Sequence, residues 1–281
     1  MSTAPMRDDR ILPATRVVAA GIIFILLLAV YALYINPDAT DQNFAWTIKP
    51  RMMPMMMGAG YLMGAYFFAR VLTARQWHRA AAGYLPITAF TIFMAAATVL
   101  HLDRFHQGSL AAALWMIIYV ITPFLVPYLW WRNQRTDSGA PEPNDLVVPR
   151  AARLAALAVG IVITLLGVII FVWPDIAIRS WPWTLTPLTA RVLAGWMMLP
   201  AVGGLYLQHE SRWSAWRLLL ESITVGSLFF AIAMVFAWSD WSTSNPLTYL
   251  FALVTVGVVV VVPAAYFVIE SRRKRLMHAR A

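Results

Sequence analysis

Cysteine is absent from the chain, so disulfide scaffolds, thiolate metal centres and redox thiols are excluded. Charge is scarce too: Asp, Glu, Lys and Arg make up 12% of the 281 residues, against about a quarter in an ordinary soluble domain. Acidic residues are scarcest, 13 against 22 Lys and Arg. With 60% of the chain in AVILMFWYC and a mean hydropathy of +0.66, polar side chains cannot cover the surface. A soluble enzyme, a disordered scaffold and a nucleic-acid binder are excluded on this ground, and an integral membrane protein is expected. No P-loop, HExxH motif, Gly-rich nucleotide loop or Ser-His-Asp set occurs in the sequence. No catalytic, cofactor-binding or metal residue is therefore assigned, no cofactor is expected, and the reading is non-enzymatic.

What remains is a series of apolar runs. A helix needs about 20 apolar residues to cross a bilayer. Eight runs qualify: Val17–Ile35, Met52–Ala69, Ala80–His101, Leu110–Trp131, Leu154–Trp173, Val192–Gln208, Leu218–Trp238 and Leu247–Ile269. They show no period-2 alternation, which excludes a β-barrel. The first run is longer than a signal-peptide core of about 7–15 residues, and no A-x-A site precedes Asn36, so a retained helix is expected. With eight spans both termini share a side. Seventeen of the 22 Lys and Arg residues fall on that side, in the two tails, the central linker and the turns after spans 2 and 6. Lys49, Arg51, Arg104, Arg179 and Arg191 fall on the other. The positive-inside rule places both termini in the cytoplasm, N-in and C-in. The net charge of +9 then serves topology and contact with anionic membrane lipids, and no nucleic-acid partner is expected.

The chain repeats itself. Shifted by 137 residues, Arg16 falls on Arg153, Pro37 on Pro174, Asp38 on Asp175, Trp46 on Trp183, Thr47 on Thr184, Pro50 on Pro187, Gly58 on Gly195 and Leu62 on Leu199. A drift of one residue then aligns Trp77 with Trp213 and Pro127 with Pro263. The fold expected is all-α: two parallel four-helix repeats, residues 16–135 and 153–270, about a pseudo-two-fold axis along the membrane normal. A tail (1–15), a polar, flexible linker (136–152) and a basic tail (271–281) complete the chain. The stretches FAWTIKPRMMPMMMGAGYLMGAYF and PWTLTPLTARVLAGWMMLP, each with a Pro-Asp upstream, resemble an uncharacterised family of multi-pass membrane proteins of actinobacteria and related phyla. That resemblance implies an architecture in a bacterial cytoplasmic (inner) membrane and no activity. A fainter similarity is to the tryptophan-rich TspO family, whose five-helix count does not fit eight spans.

Four places hold candidate chemistry. The repeated loops carry Asp38, Trp46, Asp175 and Trp183, either as a lid over a cavity between the repeats or as interfacial Trp and turn-forming Asp. Met52, Met53, Met55, Met56 and Met57 cluster ahead of Gly60-x-x-x-Gly64; thioethers bind Cu(I), whereas Met as core filler and GxxxG as helix packing is the plainer reading. His101, Asp103 and His106 form a possible Zn or Cu set, or a solvated loop. Glu221 is the one carboxylate within a span. It is expected to face the interior or the headgroup region, paired with Arg217 at i−4 or with a hydroxyl, and to mark any cytoplasmic-side cavity. Two functions fit: binding or transport of a small uncharged or amphipathic molecule between the two repeats, or service as an accessory, structural subunit beside other membrane subunits. The first implies a small apolar ligand, the second a protein partner.

Overall fold

The structure is a computed structural model that describes residues 7–278, all-helical apart from two isolated β-bridges among those residues. Ten α-helices follow in chain order: α1 (Pro13–Val30), α2 (Thr40–Asn43), α3 (Met52–Thr73), α4 (His78–Leu100), α5 (Leu110–Gln134), α6 (Arg150–Val172), α7 (Pro174–Ser180), α8 (Pro187–Leu207), α9 (Trp213–Phe236) and α10 (Pro246–His278). All but α2 and α7 are long and apolar enough to cross a membrane, which makes eight. α1 is lengthened by a π-turn, Tyr31–Ile35.

Several helices run past the ends of the apolar runs, while α4, α6, α8 and α9 stop one or two residues short of them at their C-terminal ends. α4 starts at His78, not Ala80; α6 at Arg150, not Leu154; α9 at Trp213, not Leu218; and α10 runs past Ile269 to His278. Hydropathy marks only the part of a helix that suits hydrocarbon. The backbone ladder continues wherever the terminal N–H groups find an acceptor. At α4 and α9 that acceptor is an aspartate from outside the helix: Asp9 accepts from His78 N at 3.1 Å and Asp145 from Ser214 N at 3.0 Å.

The centre of the bundle is made by α3, α4, α8 and α9, with α3 packed on α9, α8 on α4, and α4 on α9. Around these, α1 lies on α3, α5 on α4, α6 on α8 and α10 on α9. Close approach depends on glycine. A Cβ at Gly60 would stand 2.2 Å from Cζ3 of Trp196, and one at Gly204 would stand 2.4 Å from the carbonyl oxygen of Ala156. Gly60 and Gly64 do not serve one seam: Gly60 faces Trp196 of α8, whereas Gly64 faces Leu26 of α1.

At one end of the bundle, which we term the linker end, the segment before α1 pairs with the α3–α4 turn through the bridge Arg10–Gln76. The linker pairs there with the α8–α9 turn through Val147–Arg212. The linker is not the free, flexible segment its composition implied. Asp137 takes two bonds from Arg212, at 2.9 and 3.1 Å, Glu142 takes one from Arg79 at 2.5 Å, and Val148 N donates to Ser211 O. Its acidic side chains answer basic residues that only the folded chain brings near.

Candidate functional site

The repeated loops at the opposite end do not form a joint lid. Trp46 packs on Phe44, Phe105 and Trp115, with ring centroids 5.0, 5.1 and 4.7 Å away. Trp183 packs on Trp181 and Trp241, at 5.5 and 4.8 Å. Both tryptophans are buried, and no ring contact joins the two sets. Each loop thus roofs its own half of the chain. Burial also distinguishes them from a belt at the water boundary, a place better suited to the exposed Trp131, Trp173 and Trp238. Asp38 is exposed and pairs with Arg51, whose guanidinium it holds above its ordinary pKa by hydrogen bond and charge. Asp175 is exposed in the first turn of α7.

The methionines are core. Met52, Met53, Met55 and Met57 are buried in the largest apolar cluster, and Met52 N donates to Asp240 Oδ2 at 2.7 Å. The two histidines of the 101–106 loop are held apart by different partners. Arg191 NH1 donates to His101 Nε2 at 2.8 Å, while His106 meets Thr47 and the carbonyl of Phe44. Burial and the Arg191 charge lower the pKa of His101. Among the described residues no group of three His, Cys, Asp or Glu side chains is placed to hold a metal ion.

Midway along the seam between the two halves of the chain there is contact rather than space. Trp196 of α8 lies between Tyr61 of α3 and Phe90 of α4, with centroids at 5.0 and 4.6 Å. Tyr61 and Tyr119 share a hydrogen bond of 3.1 Å, and Tyr34 OH donates to Phe229 O across the seam at 2.8 Å. An apolar groove of about 470 Å³ opens elsewhere, between α9 and α10, beside Trp238, Ala252 and Thr255. The positions 136 before Ala252 and Thr255 are Met116 and Tyr119, so two side chains that fill space in the first half are smaller in the second, whereas Trp238 is larger than Leu102.

The polar chemistry gathers at the linker end. The His78 side chain is 1% exposed, with Nδ1 on Asp9 and Nε2 on Ser214 Oγ at 2.9 Å and on Glu142 Oε1 at 3.2 Å. Ser214 Oγ donates to Asp145 Oδ2 at 2.5 Å. Burial alone would raise the Glu142 carboxyl, but the bonds from His78 and Arg79 outweigh it and hold it at about 2. Asp137 is likewise opposed by burial and held below the usual carboxylate range by Arg212. Asp9, His78 and Ser214 thus stand in the contact order of a catalytic triad, which no sequence motif announced. The hydrogen bonds argue against that chemistry. The hydroxyl has one proton and gives it to Asp145, so it accepts from His78, and the ring donates where a general base would receive. Asp9 on His78 N and Asp145 on Ser214 N are one device used twice, a carboxylate that caps a first turn from the preceding segment.

Beside this network lies a cavity of about 100 Å³ lined by Arg70, Thr73 and Ala74 at the end of α3, Arg79 at the start of α4, and Ser214, Arg217 and Leu218 at the start of α9. It lies between the two halves of the chain. The positive ends of α4 and α9 both begin at it. Glu221 sits one turn further along α9. As expected it faces inward and finds hydroxyls, accepting from Tyr66 at 3.0 Å and Tyr266 at 2.7 Å. Its cationic partner is Arg70 at 2.6 Å, not Arg217. Arg217 is drawn instead toward Tyr266 at 3.4 Å and Glu270 at 3.5 Å, both on α10. Glu221 thus stands behind the cavity wall and holds Arg70 in it. No protein-family model, curated protein or solved structure matches the chain, so no family is assigned to it.

Proposed function

We propose that the protein is a non-enzymatic integral membrane protein that binds a small amphipathic molecule where its two halves meet, with the polar head at the linker end. One observation carries this reading. The seam is filled midway by Trp196, Tyr61 and Phe90, and at the linker end it opens into a polar cavity to which both halves contribute. The filled middle favours retention of a ligand over its passage. A head enters the cavity and an apolar remainder stays in hydrocarbon.

The two halves are, on this proposal, parallel four-helix repeats. Exchanging α1, α3, α4 and α5 with α6, α8, α9 and α10 maps the set of packed pairs onto itself. Local bonds correspond as well. Trp77 N donates to Asp9 O and Trp213 N to Leu146 O; His106 N donates to Ala45 O and Ser242 N to Pro182 O. Arg16 and Arg153, aligned by the repeat, donate to the carbonyls of Leu72 and Gln208. The arginine bias supports a cytoplasmic linker end, and on this proposal the membrane is a bacterial inner membrane. A reporter active only outside the cell should be silent at either terminus.

A specific feature favours the second reading, an accessory subunit: Leu253, Val256, Val260 and Phe267 of α10 are exposed at and beside the groove between α9 and α10, a face that lipid or a partner helix would cover. Gentle detergent purification followed by mass spectrometry separates the two. A stoichiometric amphiphile supports the binding reading, and a stoichiometric membrane protein with no small molecule overturns it in favour of the subunit.

A further inference from the structure

We infer that the head bound at this cavity is a phosphate group held by Arg70, Arg79 and Arg217, and that the linker carboxylate of Glu142 is its intramolecular competitor. This rests on the cavity being the binding site, and it goes on to name the ligand's chemistry and what opposes it.

Three arginines line the cavity, from the ends of three different helices. Each keeps donors in reserve. Arg79 spends Nε on Glu142, and its NH1 and NH2 find no hydrogen-bond partner among the described residues. Arg70 spends only NH1, on Tyr66 and Glu221. Arg217 gives NH2 to Tyr266 at 3.4 Å, and its Nε, closed off from the cavity, has Glu270 at 3.5 Å as an ion-pair neighbour only. Ser214 and Thr73 complete the wall. A carboxylate has two oxygens and is satisfied by one guanidinium fork. Three arginines around one cavity suit an anion with three acceptor oxygens and about −1.5 to −2 charge, which is a phosphomonoester. The cavity, about 100 Å³, has room for a compact head.

The carboxylates beside the cavity differ in what they can give up. Glu221 is fixed on α9 by two tyrosine hydroxyls, and Glu270 on α10 is held by Arg273 at 2.6 Å. Glu142 alone of the three lies outside a helix, in the linker between α5 and α6. It draws on Arg79, a cavity residue, and on His78 behind it. A phosphate that takes Arg79 displaces Glu142 without moving any helix. The linker therefore holds the site partly neutralised until a stronger anion arrives.

The test uses the full chain in dodecyl maltoside, titrated calorimetrically with monoacylglycerol phosphate, with the matching uncharged monoacylglycerol, and with inorganic phosphate. The expected result is that monoacylglycerol phosphate binds far more tightly than either. Arg217→Gln should weaken it about tenfold, the loss of one charge-assisted contact. Glu142→Gln should tighten it several-fold. Glu142→Asp retracts the carboxylate while keeping its charge and should tighten binding less. It serves as the reporter should Glu142→Gln fail to fold. Equal binding of the phosphorylated and uncharged amphiphiles would overturn the phosphate inference and leave the amphiphile reading standing. Unchanged or weaker binding in both Glu142 variants would overturn the competitor. Inorganic phosphate binding as tightly as the amphiphile would keep the phosphate and overturn the amphiphile, and no binding of any probe would overturn both.

Discussion

Substituting Gly60 by alanine probes whether the seam is as full as its contacts imply. The added methyl would lie 2.2 Å from Cζ3 and 2.6 Å from Cη2 of Trp196, where carbon atoms normally meet at about 3.5–4.0 Å. The indole must retreat by more than about 1 Å, and Tyr61 and Phe90 bound it with centroids 5.0 and 4.6 Å away. Overpacking of this kind costs about 1–3 kcal/mol, against a gain of about 0.5–1 kcal/mol from replacing glycine inside a helix. The net expectation is a loss of up to about 2.5 kcal/mol, centred near about 1 kcal/mol. Gly257, on α10, has nothing within 4 Å of an added Cβ, so Gly257→Ala keeps the gain without the clash. The assay is reversible unfolding in mixed micelles by titration with sodium dodecyl sulfate. Gly60→Ala should unfold earlier than the parent and Gly257→Ala no earlier. Trp196→Phe should relieve the Gly60→Ala defect, with a coupling free energy well outside additivity. Equal stability of the two alanine variants would refute the filled seam.

Three other outcomes follow from the linker end. Glu221→Gln removes the charge that holds Arg70 and one acceptor for two tyrosines; because Arg70 is 43% exposed and can turn to water, the expected cost is about 1–2 kcal/mol by thermal unfolding in detergent, and a neutral result would contradict the assigned pairing. Glu142 is held at about 2 in the fold against an ordinary 4.5, so its contribution is complete above about 4.5 and is lost as pH falls toward 2. A spin label at Ala140→Cys should gain mobility across that window, and it should not do so there once Glu142→Gln has removed the titrating group. Ser214 should resist a fluorophosphonate probe, since its proton is committed to Asp145, whereas labelling at Ser214 would contradict the non-enzymatic reading.

The spans were readable because hydrophobic run length is a local property, and the helix ends were not because caps come from elsewhere. Asp9 lies far in sequence from His78, and Asp145 from Ser214, and each determines where a helix begins. The polar cluster was also partly written in the repeat. The drift that aligns Trp77 with Trp213 also aligns His78 with Ser214 and Asp9 with Asp145, a signal hidden by the different side chains at 78 and 214. Glu221 was recognisable as an unusual carboxylate in an apolar run. Its choice of Arg70 over Arg217 was not, because i,i+4 proximity cannot foresee that α10 offers Arg217 both Tyr266 and Glu270. The tryptophans of the repeated loops misled for a similar reason: composition places Trp at a boundary, and only the fold shows Trp46 and Trp183 turned inward onto rings of their own halves.

The absence of cysteine makes the binding site directly testable, because a single introduced thiol reports alone. Thr73 is an exposed residue of the cavity wall and is the place for it. Maleimide should modify Thr73→Cys in the purified full-length protein, and saturating monoacylglycerol phosphate should slow that reaction, while leaving a control thiol at Ala140→Cys unaffected. A Thr73→Cys thiol that reacts at the same rate with and without the amphiphile would contradict a ligand head at the seam.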